Sequence, residues 1–221
     1  DVDEQEQEKL QDLKHQIGAL FEQKEPVPQY LWALVACYEP LNTVAWNSQI
    51  ARPEKDEDVW DIYRLQITEP ETEKDLRQSI PQITDIDDTT SQNVRAQYEE
   101  NPYPRWIHTS HLTPKSVKDV LCAPPLSFKL DDYDAPQNPE TLVAGCGTGQ
   151  HAIQAAARFL NTKVTAVDLS LGSLSYALRK TREAGIENLE YIQGDILQLD
   201  KIDKQFDMIE CGGVLHHMAD P

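Results

Sequence analysis

The stretch from Thr141 to His151, TLVAGCGTGQH, constrains the fold more than any other part of the chain. Leu142, Val143 and Ala144 run into glycines at 145, 147 and 149. Glycine belongs where the backbone takes a positive φ, or where a ligand must approach without a Cβ in the way, so the spacing predicts a ligand-hugging turn. The apolar run before it reads as a buried strand and QHAIQAAARFL after it as a helix. The alternation continues with KVTAVDL, GSLSYALRKTREAG, LEYIQGD and FDMIECG. That is βαβαβ and one further strand, the pattern of a doubly wound parallel sheet.

Upstream the periodicity is helical. Leu10, Leu13, Ile17, Leu20 and Phe21 form one apolar stripe, and the segments YLWALVACY and VWDIYRLQI lie between prolines and a charged turn, ARPEKDED. No self-similarity at a fixed period marks a repeat array, so residues 1–90 read as a packed helical region. Residues 91–137 hold a helix capped by the Asp/Thr/Ser cluster of DIDDTTS, then the box QYEENPYPRW (residues 97–106), a short helix and a Pro/Asp-rich linker. The α/β domain occupies 138–221.

With 38 Asp and Glu against 20 Lys and Arg, the formal net charge is −18. Such a surface repels phosphate backbones and anionic lipid, which argues against a direct grip on nucleic acid or a membrane. No apolar run approaches the ~20 residues of a membrane span, and the acidic start DVDEQEQEKL is unlike a signal peptide. Cys37, Cys122, Cys146 and Cys211 show neither metal-ligand spacing nor a disulfide framework, so reduced thiols in a cytoplasmic protein without a metal are expected.

A dinucleotide site spaces its glycines G-x-G-x-x-G, whereas Gly145, Cys146, Gly147, Thr148 and Gly149 make G-x-G-x-G. This loop, with the acidic residues that end the next two strands, resembles the class I S-adenosylmethionine-dependent methyltransferases over residues 138–221. The resemblance implies a Rossmann-like sheet ordered 3-2-1-4 in the part present, and S-adenosylmethionine as cofactor. It places Asp168 on the ribose hydroxyls, Asp195 on the adenine amino group, and Leu169 and Ile196 on either side of the adenine. One departure stands out: the family often carries an acid two residues before the first glycine, to meet the methionine ammonium, and here that residue is Val143. Backbone carbonyls, of Cys211 or Gly212, or a carboxylate from elsewhere would have to replace it.

Methyl transfer needs positioning and, where the nucleophile carries a proton, a base. After the fourth strand, ECGGVLHHMADP lacks the Asn/Asp-Pro-Pro-aromatic box of amino-group methyltransferases and offers His216 and His217, of which one can face a pocket. The box QYEENPYPRW resembles one in bacterial proteins that join tetratricopeptide repeats to a methyltransferase domain. Tyr98, Tyr103 and Arg105 are its candidates for the methionine carboxylate or the acceptor, against an alternative role as an aromatic clasp. The expected acceptor is a small molecule or a protein. A helical scaffold that binds cofactor without turnover is the rival reading, and a nicotinamide dehydrogenase is disfavoured by the glycine spacing. The family sheet has seven strands and this chain supplies four, so the C-terminal half of the domain is expected to be missing and the fourth strand to be an open, aggregation-prone edge.

Overall fold

The computed structural model describes residues 3–110 and 112–218. It comprises two compact units, Asp1–Thr72 and Glu73–Pro221.

In the first unit, helix α1 (Glu4–Glu22) starts where the Asp3 carboxylate accepts the Glu6 N–H at 2.8 Å. Its stripe buries Ile17 against Trp32 and Val35 of α2 (Gln29–Val35) and against Trp46, with Leu10, Leu13 and Phe21 packed around them. Helix α3 (Trp60–Tyr63) runs through a π-helical turn (Arg64–Thr68) into α4 (Glu69–Leu76). The wide turn accommodates Pro70, which has no N–H to give and whose ring would crowd the carbonyl four residues back in a regular helix. The α1 and α2 lengths, 19 and 7 residues, do not make matching pairs, and these elements share one core.

The second unit opens with α5 (Thr89–Glu100), capped by Asp88 through the Ser91 N–H, and α6 (Val117–Cys122), capped by Ser116. Strand β1 (Glu140–Ala144), helix α7 (Gln150–Arg158), β2 (Lys163–Asp168), α8 (Leu171–Glu183), β3 (Leu189–Gln193) and β4 (Met208–Glu210) follow as the sequence predicts. The sheet is parallel in the order β3-β2-β1-β4, the Rossmann-like arrangement, with Val143 opposite Ala166 on one side and Glu210 on the other. One face packs on α7 and α8 through small side chains such as Ala152, Ala155, Ala166 and Ala177. The other buries Leu142, Ala144, Val167 and Ile192 under Ile83, Ile196, Leu199 and Phe206. Both faces are thus covered over β1, β2 and β3, as a parallel sheet requires.

Residues 73–90, expected with the helical region, belong instead to the sheet unit. The reason lies at β3, whose outer edge needs hydrogen-bond partners. Gln193 N–H donates to the Pro81 carbonyl at 2.8 Å, Ile83 N–H to the Gln193 carbonyl at 3.1 Å, and Asp195 N–H to the Thr84 hydroxyl at 2.8 Å. At the other end of the order stands β4, with Ile209 65% exposed. No helix among the described residues is long and apolar enough to cross a membrane.

Candidate functional site

A cavity of about 590 Å³ opens at the carboxyl ends of the strands, within the ~300–1,000 Å³ common for small-molecule sites. Its floor is the sheet side: the glycine loop, Asp168, Leu169, Asp195 and Ile196. Its roof is α5 and the start of the box, with Ser91, Val94, Arg95, Tyr98, Tyr103 and Pro104.

All three glycines of the loop have positive φ, +70°, +53° and +81°, but they serve different ends. A Cβ on Gly145 would lie 2.3 Å from Val214, and one on Gly149 would lie 2.5 Å from the Ala177 Cβ and 2.7 Å from the Tyr191 hydroxyl. Those two glycines let neighbouring chain pack close. A Cβ on Gly147 would meet nothing nearer than the Tyr103 carbonyl at 4.0 Å, so Gly147 leaves room on the cavity side. Gly149 then leads into α7 with no side-chain cap, which leaves first-turn N–H groups of that helix facing the loop.

Asp168 ends β2 and is held in place by the backbone: Gly147 N–H donates to Oδ2 at 2.7 Å and Ser170 N–H to Oδ1 at 3.0 Å. Burial pushes its carboxyl above the usual value and the nearby Glu99 charge adds to this, while backbone bonds from Ser170, Gly147 and Leu169 pull the other way. Asp195, after β3, is 1% exposed. Its Oδ1 accepts the Leu197 N–H at 2.9 Å, whereas its Oδ2 is buried with no partner among the described residues. An orphaned acceptor on a cavity wall calls for a donor from a ligand.

The roof is tied down by ion pairs. Glu99 on α5 accepts from the Ser170 hydroxyl (3.1 Å), the Gly172 N–H (2.9 Å) and Arg77 (2.7 Å). Thr148 donates its hydroxyl to the Pro104 carbonyl at 2.6 Å, and the Trp106 indole N–H donates to the Thr148 carbonyl at 3.0 Å. The Tyr176 hydroxyl donates to the Trp106 carbonyl. Two guanidinium groups, of Arg105 and Arg179, flank the Tyr176 ring at 4.8 and 5.0 Å, and both donate to Glu73.

On the β4 side, His151 Nε2 lies 2.6 Å from Glu210 Oε2, and Arg158 donates to both Glu210 oxygens at 2.9 Å. Burial would raise the Glu210 carboxyl, but the hydrogen bond from His151 and the charges of Arg158 and His151 outweigh it and hold the carboxyl below its usual range.

Of the residues expected from the sequence, the structure brings Gly145, Cys146, Gly147, Thr148, Asp168, Leu169, Asp195, Ile196, Tyr98, Tyr103 and His216 to this one cavity, whereas Gly149 faces Ala177 and Tyr191 behind the loop. Tyr103 is 72% exposed there, and Cys146 is buried, with its thiol pushed well up by that burial. Arg105 is placed elsewhere: Glu73 and the Tyr176 ring hold its guanidinium away from the cavity. Cys211 is exposed and does not line the cavity, where Gly212 and Gly213 form the wall instead. The side chain of His217 lies outside the described residues. Arg95, Ser91 and Val94 also line the cavity, sharing with Tyr98 the helical face i, i+3, i+4, i+7. So does His151, and nothing in the glycine motif signals its partner Glu210, which the fold supplies from another strand.

Residues 142–221 match the family model described as "Methyltransferase domain". Over 137 residues the chain is 30% identical to an uncharacterized protein of Synechococcus sp., covering 61% of this chain and 32% of that protein. Over 63 residues it is 36% identical to a tRNA (guanine-N(7)-)-methyltransferase of Rubrobacter xylanophilus, covering 28% of each. Among solved structures, PKMT2 from Rickettsia typhi in complex with AdoHcy is 31% identical over 35% of this chain and 15% of that one, with a TM-score of 0.33. The chain spans about a third or less of the length of the curated relatives named here.

Proposed function

We propose that the second unit is the cofactor-binding part of an S-adenosylmethionine-dependent methyltransferase, acting on a small-molecule or protein acceptor. The observation that carries this reading is the pair of carboxylates on the cavity floor. Asp168 is fixed at the cavity floor by backbone N–H groups, and Asp195 keeps one buried oxygen without a donor among the described residues. A diol and an amino group are the donors such a pair suits, and the cofactor's ribose and adenine supply both. The residues present fit it in two further ways: the space at Gly147 admits close approach of a ligand, and Leu169 and Ile196 offer apolar surface for a flat base.

When bound, the cofactor supplies an activated methyl on a sulfonium. The chain's own work is to hold and orient. Asp168 and Asp195 fix the nucleoside, the glycine loop and Tyr98 bound the methionine end, and the β4 side is left for the acceptor. There His216 and His151 are the groups able to hold a proton taken from the acceptor, His151 being oriented by Glu210. Val143, where the family often has an acid, is 1% exposed in the sheet core, so the methionine ammonium falls to backbone carbonyls. The net charge of −18 favours an acceptor other than a polyanion, and the exposed free thiols of Cys37, Cys122 and Cys211 suit the cytoplasm.

Calorimetry with S-adenosylhomocysteine and with NAD tests the cofactor: the first is expected to bind and the second not. Transfer of labelled methyl into a cell extract by the protein tests turnover. Binding without transfer would favour a non-catalytic scaffold.

A further inference from the structure

Among the described residues the cavity has three lining carboxylates, Asp88, Asp168 and Asp195, and one lining residue with a permanent positive charge, Arg95. Each carboxylate is already committed to the backbone: Asp88 accepts from Ser91 N–H, Asp168 from Gly147 and Ser170 N–H, and Asp195 from Leu197 N–H. The natural partner of Arg95 is Glu99, four residues on along α5. Glu99 is instead turned to the start of α8 and to Arg77. The arginines nearby are likewise engaged, Arg105 and Arg179 by Glu73 and Arg158 by Glu210. Arg95 makes no hydrogen bond or ion pair among the described residues, although it is half-buried. A guanidinium held on a cavity wall in a chain of net charge −18, and left unpaired there, is a recognition group.

We infer that Arg95 is the anion anchor of this cavity and takes a carboxylate. The inference rests on the cofactor reading above and adds to it the group that recognises a negative charge. The carboxylate has two sources: the methionine arm of the cofactor, or an anionic acceptor bound beside it. A planar fork of donors suits either, and Arg95→Lys retains the charge but loses the fork.

The test compares wild type, Arg95→Ala and Arg95→Lys by calorimetry, with melting temperatures measured on each. S-adenosylhomocysteine carries the carboxylate and 5′-methylthioadenosine does not. If the source is the cofactor, Arg95→Ala lowers affinity for the former about tenfold or more and leaves the latter unchanged, with Arg95→Lys between. If the source is an acceptor, both nucleosides bind Arg95→Ala as they bind wild type, while benzoate binds loaded wild type and fails to bind the loaded variant. Unchanged binding of S-adenosylhomocysteine and benzoate alike in a folded Arg95→Ala overturns the assignment. If wild type binds neither nucleoside, the cofactor reading falls, and benzoate binding to the free proteins then decides Arg95 alone.

Discussion

The floor and the roof of the cavity are built by different physics. The floor is a backbone construction: strand register places Asp168 and Asp195 at neighbouring strand exits, and positive φ at three glycines shapes the loop between β1 and α7. The roof is a side-chain construction. Glu99 and Glu73 fasten α5 and the box to α8 through serine, arginine and backbone N–H groups. A floor of this kind tolerates little change at a few positions, whereas a roof of this kind loses its hold in steps.

The sharpest contrast lies within the floor. Gly149→Ala combines φ of +81° with a contact of 2.5 Å to Ala177; it is expected to cost about 3 kcal/mol or more and to melt the unit early. Gly147→Ala adds a methyl into open space and is expected to cost only the ~1–2 kcal/mol of a left-handed residue, while blocking cofactor. Melting and binding measured on both variants check this, and equal destabilisation by the two would remove Gly147 from the ligand's path. Next in size, Asp168→Ala removes charge-assisted bonds worth about 1.5–3 kcal/mol each and should weaken S-adenosylhomocysteine at least tenfold. Calorimetry showing wild-type affinity would exclude Asp168 from the site.

The roof should respond more gently. Glu99→Gln keeps an acceptor for α8 but loses the charge, so a fall of a few degrees in melting temperature and a several-fold loss of affinity are expected. A variant with unchanged affinity would show that α5 does not need this tether to cover the ligand. pH acts on stability and on binding through different carboxylates. Glu183 and Glu210 are held below their ordinary value of 4.5 in the fold, so their stabilisation is complete above that pH and is lost as pH falls through the lowered values. Asp168 is raised above 3.8, and cofactor needs its carboxylate form. Affinity should therefore begin to fall, on acidification, at a higher pH than an ordinary aspartate would give. Smallest of all, Cys211→Ser should leave binding and melting unchanged, because the thiol is exposed and off the cavity.

The same division decides what the sequence made legible. Strands, helices and the carboxylates of the floor follow from local patterns: apolar runs, glycine spacing and the acid that ends a strand. Helix α5 and its cap at Asp88 were legible for the same reason. The partners of the roof were not. Arg105 reads as a ligand group in QYEENPYPRW, yet Glu73, 32 residues upstream, claims it. Arg95 reads as an ordinary helix arginine with Glu99 to pair with, and only the turning of Glu99 toward Ser170 leaves it facing the cavity. The join of residues 81–84 to the end of β3 has no local signature either, since its hydrogen bonds depend on an edge formed by residues more than a hundred positions later.

Those long tethers bear on the order of assembly. Glu73 reaches Arg179 across 106 positions, and Thr84 reaches Asp195 across 111. Closing such loops costs entropy before any contact repays it, whereas β1, α7 and β2 follow one another closely in the chain. During synthesis residues 73–100 leave the ribosome first and wait, without partners, until α8 and β3 have been made. The nascent sheet can therefore form with its ligand cleft still uncovered, and amide exchange in the finished protein should find α5 opening more often than α7.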